Sequence, residues 1–219
     1  MILCLKQVLS LEELTLVRQA LARAQFVDGR ATAGWHAKMV KNNQQAERGD
    51  PQVQVARDVL AQALGKHELF TLASRPRAFA PVLFSRYDAG MSYGTHVDDA
   101  LMGDIRSDLS FTVFLNDPND YDGGELVIDQ HHGEQAFKLD AGDAILYPST
   151  TLHRVDPVQR GSRLVAVGWL QSRVRRAEQR ELLLDLDTAR LALFRRDGKT
   201  PEFDLLSKSV SNLLRMWAD

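Results

Sequence analysis

The apolar positions of this chain repeat with two different periods, and the change between them divides it into three stretches. In residues 1–77 the repeat is helical. Leu14, Val17 and Leu21 share a stripe behind Ser10 and Glu13, the Ser-x-x-Glu signature of a helix N-terminus. Asp50 and Pro51 open a second helix with Val53, Ala56, Leu60 and Leu64 on its inner stripe, and Gly65 marks its predicted stop. The polar stretch 29–50 between them reads as loop with a short strand over 35–40. Both helices are expected to pack on a sheet.

From 78 to 171 the period falls to two, in about eight short segments separated by Gly, Asp and Asn turns, which predicts a sandwich or barrel. Residues 172–219 return to helix. Positions 178–194 are leucine-rich, Asp197 and Gly198 end that segment, and 201–217 forms a last helix. The expected fold class is thus α+β with a mainly β core, N-terminal supporting helices and a C-terminal helical appendage. Leu182, Leu183, Leu186, Leu191, Leu193 and Phe194 cover a wide arc. A helix this apolar must bury more than one stripe, on its own barrel or on a partner subunit.

Composition changes this picture by exclusion. The formal net charge is −2, so no bulk basic field attracts nucleic acid or an anionic membrane. The short run Arg173, Arg175, Arg176 and Arg180 reads as a solvated helix face, and His131-His132 as an exposed hairpin. Cys4 is the only cysteine, which argues against a disulfide framework and fits a reducing compartment. The first residues lack a charged region followed by a long apolar one, and no window approaches the ~20 apolar residues of a spanning helix. A cytoplasmic location is the expectation.

The candidate chemistry lies in the β-rich stretch. His96-Val97-Asp98 puts an imidazole and a carboxylate at i and i+2, on one face of an extended strand. Gly90 and Gly94 break the preceding segment and let His96 open a strand. Gly142 and Asp143 turn into a buried segment that ends at Pro148, and His153 follows a short Ser-Thr-Thr loop. Two imidazoles and one carboxylate are the ligands of a facial triad for iron(II), which leaves positions open for O₂ and a co-substrate. Gln159 to Ser162 reads as a turn, and the next strand would carry Arg163, Val165, Val167 and Trp169 on one face. An arginine on the inner face of a barrel is costly unless an anion meets it, and a dicarboxylate would do so. Taken singly, His96-x-Asp98 is a common surface pair, His153 a structural histidine and Arg163 a salt-bridged barrel residue; together and in order they are specific.

The segment Arg86 to Asp98 resembles the iron site of prolyl-4-hydroxylase-type 2-oxoglutarate dioxygenases. Arg106 to Ser110, Phe114 to Leu126 and Leu146 to Val155 narrow the likeness to the bacterial PKHD-type hydroxylases, the PiuC-like group often associated with iron uptake. The resemblance spans essentially the whole chain and departs at no ligand position. It implies a double-stranded β-helix (jelly-roll) core and dependence on Fe(II), 2-oxoglutarate and L-ascorbate. His96, Asp98 and His153 would hold the metal. Arg163 would take the distal carboxylate of 2-oxoglutarate, with Tyr87 beside the co-substrate or merely closing the barrel mouth, and Trp169 walling the pocket. Relatives that halogenate carry a small residue in place of the carboxylate ligand, so Asp98 favours hydroxylation. The resemblance permits a homodimer through the C-terminal helices and names no substrate. Prolyl or lysyl side chains, a free amino acid and an iron-chelating small molecule all fit, and Asp99, Arg106 and Asp108 hint at a polar one. A non-catalytic iron or 2-oxoglutarate sensor on the same pocket, and a plain β-barrel interaction module, remain the alternatives.

Overall fold

The computed structural model describes all 219 residues. Strand β1 (Leu3–Leu5) leads into helix α1 (Leu11–Arg23), followed by β2 (Phe26–Asp28), β3 (Lys41–Asn42) and β4 (Gln44–Ala46), then helices α2 (Pro51–Lys66) and α3 (Glu68–Ser74). The middle holds β5 (Pro76–Phe79), β6 (Leu83–Asp88), β7 (Ser92–His96), β8 (Leu101–Met102), β9 (Ile105–Arg106) and β10 (Leu109–Phe114). It continues with β11 (Tyr121–Gly123), β12 (Leu126–Gln130), β13 (Gly133–Phe137), β14 (Ala144–Pro148), β15 (His153–Val155) and β16 (Val158–Ser172). Helices α4 (Ala177–Asp197) and α5 (Pro201–Trp217) end the chain.

Two antiparallel sheets carry the molecule. The larger runs β1-β14-β10-β16-β6-β4-β2, with β5 and β11 also on β16, and the smaller runs β13-β12-β15-β7-β3. β8 and β9 form a separate hairpin. Strand alternation gives the large sheet two unlike faces. Phe84, Leu109, Phe111, Val113, Ala144, Leu146, Ala166 and Leu170 point outward and join the inner stripes of α1, α2 and α3 in one cluster of 25 buried residues. Tyr87, Phe114, Ile145, Tyr147 and Val165 point inward and meet Leu126, Ile128 and Val155 of the small sheet. Gly168 of β16 fits the outward set because any Cβ there would lie 2.4 Å from the Phe111 ring.

The capping box at Ser10 and Glu13 forms as expected, and α5 spans the expected residues. Several expectations are corrected. No strand covers 35–40; a 3₁₀ turn occupies Ala37–Met39 and pairing begins only at Lys41. Gly65 does not stop α2, which runs on to Lys66, because the His67 N–H closes the helix on Ala63 and Leu64 while its ring caps α3. The 1–77 stretch thus holds three helices, and its strands join both sheets. His96 ends a strand rather than opening one. Gln159 to Ser162 does not turn away, since β16 runs through it. Gly161, at φ +74°, pairs with Tyr121 of β11 so closely that a Cβ there would lie 2.2 Å from the Asp120 carbonyl oxygen, and the register slips at Gln159, between Arg160 and Val158.

The C-terminal helices fold back on their own chain. Leu184 enters the main cluster, and Leu183 packs with Val174 and Val210. Asp187 of α4 accepts from Arg75 and pairs with Arg190. Arg180 is not part of a solvated face: it is buried and donates to the Val174 and Arg175 carbonyls at 2.9 and 2.7 Å. Leu182, Phe194, Leu205 and Met216 stay exposed. No helix is long and apolar enough to cross a membrane.

Candidate metal and co-substrate site

Strands β7 and β15 are antiparallel neighbours, and His96 and His153 are direct partners across them. Asp98 lies two residues beyond the end of β7. The chain therefore delivers two imidazoles and a carboxylate to one point, with all three ligand atoms within 4.8 Å of one another. His153 Nε2 is 3.8 Å from Asp98 Oδ1. Each ring is fixed from behind: the Gly94 carbonyl lies 2.9 Å from His96 Nδ1, and the Thr151 carbonyl 3.1 Å from His153 Nδ1. A carbonyl accepts only from N–H, so each Nδ1 carries a proton and Nε2 is the ring atom left for a metal. Burial, and the second imidazole beside it, push His96 down to about 4, so its ring is neutral near pH 7. Tyr93 stacks on His96 with centroids 3.6 Å apart, and Tyr147 meets His153 edge-on.

Asp98 is oriented from the facing sheet. Ser110 Oγ donates to its Oδ2 at 2.6 Å, and Ser149 lies 2.7 Å from Ser110. The sequence reading gave Ser110 no role. Its signal was present: in Leu-Ser-Phe-Thr-Val-Phe, a strand buried on both faces, Ser110 and Thr112 are polar two residues apart.

Arg163 is the largest side chain with less than 2% exposure in the protein. Its guanidinium carbon sits 5.1 Å from the Tyr87 ring centre and 5.6 Å from that of Phe114. Neither Nε nor Nη1 makes a hydrogen bond of good geometry, and the Tyr121 hydroxyl lies beside the guanidinium. A buried cation with idle donors is a site built for an anion.

One cavity joins these groups, with about 870 Å³ of empty space including the open solvent at its mouth. His96, Asp98, His153, Arg163, Tyr87 and Trp169 all line it, as does Asp99. Arg106 and Asp108 do not: they pair bidentately at 2.8 and 3.0 Å, and Asp108 accepts from the Ser172 N–H, so they lock a strand end and hint at no substrate. The far wall comes from the N-terminal stretch, through Thr32, Lys41, Asn43, Gln45 and Arg48. None of these was expected from sequence, because they lie in a polar run whose strands are two and three residues long.

An imidazole pair and one carboxylate, each held by an outer partner, fit a single open-sided iron(II), and the idle Arg163 fits a carboxylate of a bound co-substrate. The comparisons agree. Residues 82–171 match the 2OG-Fe(II) oxygenase superfamily, which defines the class: an oxidoreductase that works with iron(II) and 2-oxoglutarate. Residues 178–219 match the PKHD-type hydroxylase C-terminal domain. PKHD-type hydroxylases of Acaryochloris marina and Gloeothece citriformis are 57% and 56% identical to it, each aligned over 100% of both chains. The chain belongs to the PKHD-type hydroxylase family. Among solved structures, a Pseudomonas putida prolyl-4-hydroxylase is similar with a TM-score of 0.52 and 24% identity, over 78% of this chain and 92% of that one. That likeness speaks for the fold.

Proposed function

We propose that the protein is an Fe(II)- and 2-oxoglutarate-dependent hydroxylase whose metal ligands are His96, Asp98 and His153. The observation that carries this reading is the pairing, within one cavity, of a converged His-Asp-His set with a buried arginine that has no carboxylate partner and whose Nε and Nη1 make no hydrogen bond. Bound to the three ligands, iron(II) would supply O₂ activation coupled to oxidation of 2-oxoglutarate to succinate and CO₂. Arg163 would receive the distal carboxylate of 2-oxoglutarate through its free Nε and Nη1. Tyr87 lies under that guanidinium and would fix its plane, while Trp169 would wall the same pocket. Ser110 holds one oxygen of Asp98 and leaves the other for the metal. Ascorbate would keep the iron reduced.

The strand order supports a double-stranded β-helix. In chain order β6, β7, β10, β12 and β13, β14, β15 and β16 fall alternately in the large and small sheets, so successive strands wind around the cavity. Residues 1–77 and 172–219 would serve this 78–171 core as a cavity wall and an outer brace, with a homodimer through the exposed remainder of α4 and α5. Prolyl or lysyl side chains, a free amino acid and an iron-chelating small molecule stay in the substrate class, the last in keeping with a role in iron homeostasis in the cytoplasm.

The test is succinate release by the purified chain given iron(II), 2-oxoglutarate, ascorbate and O₂. Slow release without prime substrate is expected, and a substrate that accelerates it should gain one oxygen atom in mass. No succinate from protein that binds both iron and 2-oxoglutarate would favour a sensor.

A further inference from the structure

Lys41 is the one lysine buried in this protein, at 6% exposure, and it lines the same cavity. It comes from β3 at the edge of the small sheet, whereas Arg163 comes from the large sheet. Its Nζ donates to Thr32 Oγ1 at 2.9 Å and lies 5.1 Å from the centre of the Tyr93 ring, whose other neighbour is His96. Thr32 is committed elsewhere, donating 2.5 Å to Gln45 Oε1, and Gln45 in turn donates to Ser85. No carboxylate forms an ion pair with Lys41. Burial drives its ammonium down to about 8, with Asp98 and Asp28 acting weakly in the other direction and Arg48 adding to the fall. Arg48 is exposed on the same wall and has no ion-pair partner of its own.

An ammonium with one hydroxyl acceptor and little exposure is costly unless an anion completes it. The two carboxylates nearest the cavity cannot: Asp98 is held by Ser110 at the converged ligand set, and Asp99 lies exposed against Gly34. We propose that Lys41 is the anchor for a carboxylate of the prime substrate, with Arg48 as the second cation on its approach. This rests on the iron and 2-oxoglutarate reading above, because it assigns Arg163 to the co-substrate and leaves Lys41 for the other occupant. A monoanion matches one ammonium; a phosphate dianion would bring a second negative charge toward Asp98 and Asp99. The substrate class is a small molecule or chain end with a free carboxylate, and an internal peptide side chain lacks the recognised group.

The experiment uses the full chain loaded with Mn(II), a paramagnetic stand-in for iron(II), and saturating 2-oxoglutarate. Benzoate, benzamide and phenyl phosphate are added in separate samples, and broadening of their proton resonances is read. Benzoate should broaden and benzamide should not. Lys41→Met should weaken the benzoate effect by roughly tenfold or more, Lys41→Arg should restore part of it, and 2-oxoglutarate should stay broadened in every sample as the report of a folded, loaded protein. Benzoate that behaves like benzamide, keeps its effect in Lys41→Met, or is surpassed by phenyl phosphate overturns the proposal. Loss of the benzoate signal with the 2-oxoglutarate signal intact strikes the carboxylate anchor alone. Loss of both in the wild-type protein strikes the metal and co-substrate reading, and the anchor with it.

Discussion

On strand β10, Leu109, Phe111 and Val113 face the helices, while Ser110 and Thr112, set between them, face the cavity. β16 repeats the contrast: Ala166 and Leu170 face out, and Arg163 and Trp169 face in. The two faces share a backbone and hydrogen-bond ladder yet differ in what fills them. The outer face is apolar, aliphatic and aromatic side chains together, and is closed by three helices. The inner face carries a buried cation, tyrosines, hydroxyls and empty volume. Alternation alone lets the outer face meet the needs of folding while the inner face keeps polar groups without partners. A substitution on one face should therefore leave the other nearly untouched.

The largest expected break in that comparison is at the ligands. Asp98→Ala should abolish stoichiometric iron(II) binding at micromolar metal, and so should His96→Ala and His153→Ala, while circular dichroism stays that of the parent. Iron retained at parental levels by all three would remove the triad. Next comes the outer face. Phe111→Ala empties a position packed edge-on against Phe70 and should cost about 3–5 kcal/mol of stability, measured by urea unfolding. Iron affinity of the folded fraction should not change; a matching fall in it would mean that the faces are coupled. The smallest effect is second-hand. Ser110→Ala frees one Asp98 oxygen and should weaken metal affinity by about ten- to a hundredfold, with little change in the urea midpoint. An unchanged affinity would make the Ser110 contact incidental.

How much of this was legible in the sequence followed element length and polarity. α5 was readable to the residue, since Thr200 and Pro201 announce its start and its apolar positions repeat for several turns. The inward set on β16 was readable because alternation over so long a strand is hard to mistake. β1 to β4 were not, because two or three residues cannot display a period, and Lys41, Asn43 and Gln45 disappeared with them into a polar run. The pairing of His96 with His153 across β7 and β15 is a matter of register, which spacing along the chain does not carry. Gly161 misled for the opposite reason: a glycine in a polar cluster reads as a turn, and only the close approach of β11 explains a glycine within one continuous strand.

The most direct test of the inner face is an anaerobic titration of the iron(II)-loaded protein with 2-oxoglutarate, followed by the visible metal-to-ligand absorbance of the chelate. The parent should develop the band and saturate at one equivalent per chain. Arg163→Lys keeps the charge but loses the two-pronged geometry, and should bind iron as the parent does while losing about ten- to a hundredfold in 2-oxoglutarate affinity, some 1.5–3 kcal/mol. No band from protein shown to hold iron, or an Arg163→Lys titration that overlays the parent, would contradict the account.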